Sequence, residues 1–164
     1  MGLDMYFEKC NIRAWEYRHM DIDDIKNDNK LYAELSPYIV KRGKYMVWES
    51  LFAEVGYWRK ANAIHRWFVE NVQDGVDDCE MYVVEKEELE TLLDVCKTVL
   101  DAQHKDGFES IAMQWLPTQD GFFFGGTDYD NWYIADIEDT INIIEKVLAE
   151  TDFDNEVITY QSSW

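Results

Sequence analysis

The chain has few or none of several features that define large classes of proteins. Its three cysteines are odd in number and never form a C-x-x-C pair, which argues against a disulfide scaffold and favours a reducing cytosol. It contains no run of 18 apolar residues, so no membrane-spanning helix is expected. Its first residues lack a basic leader followed by an apolar core, so they do not resemble a secretory signal. We therefore expect a cytoplasmic protein with a single domain over residues 1–164.

Lysine and arginine are scarce in the last three-fifths of the chain. Residues 1–66 contain eleven Lys or Arg and ten Asp or Glu, whereas residues 67–164 contain four and twenty-four. The formal net charge of −19 therefore arises after residue 66. Such a surface repels phosphate backbones, so direct nucleic-acid binding is not expected. It favours a partner protein with a basic surface, while simple solubility is the alternative explanation for the acidity.

The apolar residues of the segment 48–73 recur at steps of three and four. Residues at this spacing share one face of a helix, so the pattern predicts a single long central helix. Gly56 lies inside it, which indicates either a close approach by a neighbouring backbone or a bend.

Asn62 and His65 fall within the apolar face of this predicted helix. A polar group that is buried without a hydrogen bond costs several kcal/mol, so each side chain should have a partner. One interpretation is that both are satisfied core residues that fix the packing of the helix. The other is that they line a ligand pocket, with Arg59 and Lys60 near its rim.

The remaining patterns predict an α+β fold, with about three main helices packed on a small, mostly antiparallel sheet. The strands are expected at 1–10, 81–85, 122–124 and 157–164. The second helix opens at Glu85 and ends at His104, and its regular apolar spacing makes Cys96 a core residue. The third helix covers 136–150, capped by Asp136 or by an earlier Asp or Thr. Residues 21–30 fit either a short helix or an irregular segment.

The segment 115–133 combines glycines, aromatic residues and carboxylates. Its Gly-Gly-Thr sequence carries no lysine, and the P-loop and dinucleotide patterns are both absent. One interpretation is an aromatic cover over the core. Another is a partner-facing patch that includes Phe123, Tyr129 and Trp132. A third is a divalent cation held by Asp128 and Asp130, which would bridge them to a phosphate.

Motif searches assign no catalytic residue and no cofactor other than this alternative cation. The three histidines lie far apart, no cysteine pair has zinc-ligand spacing, and the acidic clusters miss the EF-hand pattern. The cluster Asp74, Asp77 and Asp78 is interpreted as a solvated turn that is available to a basic partner.

Two stretches, EVGYWRKANAIHRWFVENVQDGVDDC at 54–79 and LPTQDGFFFGGTDYDNWY at 116–133, resemble a family of small phage and prophage proteins of uncharacterised role. The resemblance implies an origin in a bacteriophage or its host, and it brings no activity. We accordingly expect a non-enzymatic accessory protein in the host cytoplasm that binds and blocks a host protein, such as one with a nucleic-acid-binding surface. The alternative is a small-ligand or nucleotide-binding protein, or a metal-assisted hydrolase, with a pocket between the central helix and the glycine-rich loop.

Overall fold

The computed structural model describes residues 2–48 and 51–164 and has an α+β architecture. Met1, Glu49 and Ser50, which fall in the predicted first strand and central helix, lie outside the described residues. The strands are β1 (Asp4–Asn11), β2 (Ile39–Arg42), β3 (Tyr45–Trp48), β4 (Phe52–Arg59), β5 (Tyr82–Val84) and β6 (Glu156–Ser163). The α-helices are α1 (Ile12–Tyr17), α2 (Ile22–Asn27), α3 (Asn29–Leu35), α4 (Asn62–Asn71), α5 (Lys86–Asp101), α6 (Phe108–Trp115) and α7 (Asn131–Glu150).

The main sheet has the strand order β4-β1-β6-β5, and every neighbouring pair is antiparallel. β1 is therefore an inner strand that pairs with β4 on one side and with β6 on the other. Leu3, Met5 and Phe7 alternate along the start of the chain and are fully buried, as one face of a half-buried strand requires. They join one large hydrophobic core with residues of α4, α5, α6 and α7. The predicted α+β fold, with helices packed on a small antiparallel sheet, is confirmed.

The predicted central helix over 48–73 is wrong. β4 occupies its first half and runs antiparallel to β1, and only Asn62–Asn71 is helical. Phe52, Val55, Tyr57 and Trp58 are aromatic or β-branched residues that favour a strand when a partner strand is present. The spacing of Phe52, Val55 and Trp58 also matches a helical face, so the local pattern could not decide between strand and helix.

Gly56 lies at a tight contact within β4. A Cβ atom at this position would lie 2.5 Å from Cγ2 of Ile143 on α7 and 3.4 Å from Cβ of Phe7. The register between β1 and β4 also shifts between Phe7 and Glu8, beside this glycine. A close approach at Gly56 was expected from a backbone, but it is made by side chains, chiefly that of Ile143 on α7.

Most other predicted elements are present. α5 follows the predicted periodicity, and Cys96 on it is fully buried. α7 starts earlier than expected because Asp130, rather than Asp136, accepts the first free backbone N–H groups. The strand expected at 122–124 is absent: the N–H of Phe124 donates to the carbonyl of Gly121 in a turn. The ambiguous 21–30 segment forms α2 and the start of α3.

A smaller hydrophobic cluster lies outside the main core. Ile25, Leu35 and Ile39 are its buried members, and they bring α2 and α3 together with the β2–β3 hairpin. This part of the chain contains the basic residues 41–44 and is remote in sequence from the acidic second half.

Candidate functional site

The two unusual stretches of the sequence meet at Asn62, the first residue of α4. Its side chain is 4% exposed. Its amide nitrogen donates to the carbonyl of Gly126 at 2.8 Å and to that of Phe124 at 3.2 Å, and its oxygen accepts the N–H of Gln119 at 3.0 Å. One buried side chain therefore fixes three points of the glycine-rich loop, here defined as residues 118–130.

Lys60 packs against this loop in an uncommon backbone conformation. Its φ is +63°, in the left-handed region that non-glycine residues seldom adopt. Its N–H donates to the carbonyl of Leu3 at 2.8 Å, and its own carbonyl accepts the N–H of Asn62 at 2.9 Å. Gly125, with φ +100°, lies so close that a Cβ there would be 3.1 Å from both Cβ and O of Lys60. The surrounding contacts hold the strained residue in place.

A cavity of about 600 Å³ opens between the β4–α4 junction and the loop. Its lining includes six residues singled out from the sequence, namely Arg59, Lys60, Asn62, Asp128, Asp130 and Trp132. The structure therefore brings the two predicted sets of residues to one place. Its size falls within the range of roughly 300–1,000 Å³ that is typical of small-molecule sites.

Asp136 also lines this cavity, although the sequence predicted only a capping role for it. It lies one turn into α7, is half-buried, and has no Lys, Arg or His within 4 Å among the residues described. Burial, together with the nearby Asp139 and Asp130, raises the pKa of Asp136 to about 7. Its position three residues after Tyr133, on a helical face that is otherwise buried, was the signal available in the sequence.

His65 does not line the cavity. It is fully buried; its Nδ1 lies 2.8 Å from the Tyr160 hydroxyl and its Nε2 lies 3.0 Å from Oδ2 of Asp77. Burial lowers the pKa of His65, and the hydrogen bond to Asp77 offsets this only in part. A neutral imidazole fits both contacts, with Nε2–H donating to Asp77 and Nδ1 accepting the Tyr160 proton. Both nitrogens are thus occupied, as expected for a satisfied core histidine.

The predicted acidic cluster is partly engaged in the protein's own structure. Asp77 contacts His65 and also accepts the indole N–H of Trp164 at 3.0 Å. Asp78 accepts the N–H of Glu80 and the hydroxyl of Tyr82, each at 3.0 Å. Asp74 is exposed at a left-handed turn position with φ +51°. Of the three, Asp74 is therefore the carboxylate most available to a partner.

The glycine-rich loop and the start of α7 expose several large aromatic side chains. Phe122 is 82% exposed, Phe123 50% and Trp132 80%. The Phe122 and Phe123 rings lie 4.2 Å apart, and Phe123 has a left-handed φ of +66°. Tyr129 differs from them: it is half-buried, packs on Tyr133, and its hydroxyl accepts the N–H of Thr118 at 3.3 Å. We call Phe122, Phe123 and Trp132 the aromatic surface.

The carboxylates proposed for a divalent cation have few neighbours of the required type. Asp130 already uses Oδ1 to accept the N–H groups of Trp132 and Tyr133. Asp128 is exposed. Within residues 2–48 and 51–164, no group of three or more His, Cys, Asp or Glu side chains is arranged to hold a metal ion.

The chain was compared with known proteins, and no family model, curated protein or solved structure matches it. The resemblance to phage proteins therefore stays a prediction. Over the part of the chain that the structure describes, no helix combines the length and apolar character needed to cross a membrane.

Proposed function

We propose that this protein is a non-enzymatic binding protein whose aromatic surface and neighbouring carboxylates engage a basic surface of a partner protein. In the phage context that the sequence suggests, the partner is a host protein in the cytoplasm, and binding blocks it. A surface that normally holds nucleic acid has the required charge.

The observation that carries this proposal is the exposure of Phe122, Phe123 and Trp132 on a fixed backbone. Aromatic residues are enriched among the residues that dominate binding energy at protein interfaces. Because Asn62 ties the loop to α4, little conformational freedom remains to be lost when a partner binds. The left-handed φ of Phe123 costs stability, which supports a role in which this backbone conformation displays the ring to a partner.

Charge supports the choice of a basic partner. Residues 106–145, which include the whole loop and most of α7, contain no lysine or arginine. Asp120, Asp128 and Asp130 are exposed around the aromatic surface. Carboxylates at the rim of an aromatic patch accelerate association with a positively charged protein and select against acidic ones.

The experiment compares capture of host proteins by the intact tagged chain and by two variants. Phe122→Ser with Phe123→Asn removes both rings, and asparagine tolerates the left-handed position. The matched control is Trp115→Ser on α6, which removes a similarly exposed aromatic residue outside the loop. A single basic protein retained by the wild type and the control, lost from the loop variant and released at high salt supports the proposal. Equal retention by the loop variant contradicts it.

Charge reversal supplies a second test. Asp74→Lys should weaken capture in a salt-dependent manner, since it removes an exposed carboxylate that makes no described ion pair. Changes at Asp77 are less informative because that carboxylate bonds to His65 inside the fold. Unchanged affinity after Asp74→Lys would place the interface away from the 74–80 turn.

The metal-assisted hydrolase that the sequence left open has no observation in its favour. Two carboxylates, one of them engaged as a helix cap, give an incomplete ligand set among the described side chains.

A further inference from the structure

The cavity beside Asn62 presents charged groups of both signs that are not paired with each other. Arg59 and Lys60 reach it from the β4–α4 junction, and Asp136 reaches it from α7. Among the described residues, no carboxylate lies within 4 Å of the Lys60 ammonium, and the guanidinium of Arg59 meets only Asp4, at 3.8 Å. A ligand that satisfies both kinds of group must carry an anionic group and a hydrogen-bond donor.

The cationic end is fixed by its backbone. The left-handed conformation of Lys60 is held by hydrogen bonds on both sides, so its side chain leaves the chain in a set direction. Gly125 lies next to it, and a Cβ at the following residue, Gly126, would meet nothing within 4 Å. Glycines at this point allow an anion to approach the backbone closely. Arginine and lysine together provide the donors that a phosphate group prefers.

Trp132 also borders the cavity, with 80% of its surface exposed. An indole that is not packed against the protein offers a face on which a planar ring can stack, and nucleobases stack on aromatic side chains regardless of sequence. Asp136, half-buried and without a cation, is suited to accept an N–H from such a ring.

We propose that the cavity binds a free 5′-mononucleotide whose base carries an exocyclic amine. The phosphate contacts Lys60 and Arg59, the base stacks on Trp132, and the amine donates to Asp136. This role goes beyond binding of a basic partner protein. The two sites share Trp132, whereas Phe122 and Phe123 do not line the cavity, so the variant Phe122→Ser with Phe123→Asn separates the two roles. The acidic surface elsewhere disfavours long polynucleotides, so a free nucleotide is favoured over a nucleic-acid strand.

Isothermal titration of the full chain with AMP and CMP tests the proposal, with two chemically matched probes. Adenosine lacks the phosphate and should bind at least about tenfold more weakly, the usual effect of losing a charge-assisted hydrogen bond. Purine riboside 5′-monophosphate differs from AMP only by the missing amine and should also bind more weakly. A ten-residue single-stranded oligonucleotide distinguishes a free nucleotide from a nucleic-acid strand.

Three variants assign the contacts. Lys60→Asn removes the ammonium group but introduces a residue that tolerates the left-handed backbone. It should reduce the affinity for AMP and leave the affinity for adenosine unchanged. Asp136→Ala, which removes the acceptor, should abolish the preference for AMP over purine riboside 5′-monophosphate. Trp132→Ala should weaken the binding of every nucleotide tested. Lys105→Ala, outside the cavity lining, is the control and should leave every affinity unchanged.

The proposal is overturned by any of three results: no binding of AMP or CMP at millimolar concentration, equal affinity for AMP and adenosine, or tight binding of the oligonucleotide alone. If the protein still captures a basic partner protein but binds no nucleotide, this inference is wrong and the proposed partner binding is unaffected.

Discussion

Replacing Asn62 with alanine tests whether one side chain organises the whole site. The substitution removes three hydrogen bonds, to Gln119, Phe124 and Gly126. A hydrogen bond in a folded protein contributes about 1 kcal/mol net, and a buried group left without a partner costs about 1–3 kcal/mol. Phe124 is buried, whereas Gly126 is exposed, so the carbonyl of Gly126 can form a hydrogen bond with water once Asn62 is replaced. We expect a loss of roughly 3 kcal/mol in the free energy of unfolding, or about 6–12 °C in melting temperature for a chain of this size.

Equilibrium unfolding in urea measures this loss, and hydrogen exchange locates it. The amide of Gln119 should exchange much faster in Asn62→Ala, because its acceptor has been removed. Asn71→Ala on the same helix is the matched control: that exposed side chain makes a single bond to the carbonyl of Trp67. If the two variants differ by less than about 0.5 kcal/mol, within the usual range for surface substitutions, Asn62 does not hold the loop.

Three further predictions concern the surrounding fold. Burial lowers the pKa of His65 below the value of about 6.5 in an unfolded chain, so the unfolded state takes up the proton first as the pH falls. The stability of the protein should therefore be full above about pH 6.5 and decline below it. The urea midpoints at pH 8 and pH 5 should differ less in His65→Gln than in the wild type. Gly56→Ala should destabilise the protein by about 1–3 kcal/mol through overpacking, and Ile143→Ala should recover part of that loss in a double-mutant cycle in urea. Of the three thiols, Cys79 is the only one that is partly exposed. A thiol reagent should therefore label Cys79 rapidly in the native chain and the other two cysteines only on unfolding. Equal labelling rates for all three would contradict the burial of Cys10 and Cys96.

The helical part of the fold follows from local sequence in some places and not in others. α5 was predictable because its apolar residues recur without interruption and Glu85 and Glu88 form a capping box. The predicted helix over 48–73 was correct only in its second half, which is α4, since Ala61 at the N-cap position makes no side-chain hydrogen bond that would mark the start. The preceding residues form β4 only because β1, about fifty positions earlier, provides the partner strand. That pairing leaves no trace in a short window of sequence.

The candidate site was partly predictable for a related reason. Two polar residues in an apolar pattern pointed to Asn62 and His65, and both are indeed buried and bonded. Which of them faces the cavity depends on the position of the loop, and the loop position depends on tertiary hydrogen bonds. Asp77 was interpreted as a surface carboxylate because no local pattern reveals that it lies beside the His65 imidazole. Asp136 was seen as a cap for the same reason.

The pairing of β1 with β6 has a consequence for the order of events in folding. Residues 4–11 are matched with residues 156–163, so the contact that unites the sheet closes a loop of about 150 residues. Closing long loops carries an entropic cost before any contact repays it, and chains rich in such pairings fold slowly. On the ribosome, β1 and β4 can pair early, but β5 has no neighbour until β6 has emerged. The strand β1 must therefore wait with one edge unpaired until β6 has been made. Its charged residues Asp4, Glu8 and Lys9 discourage the pairing with other chains that such an edge invites.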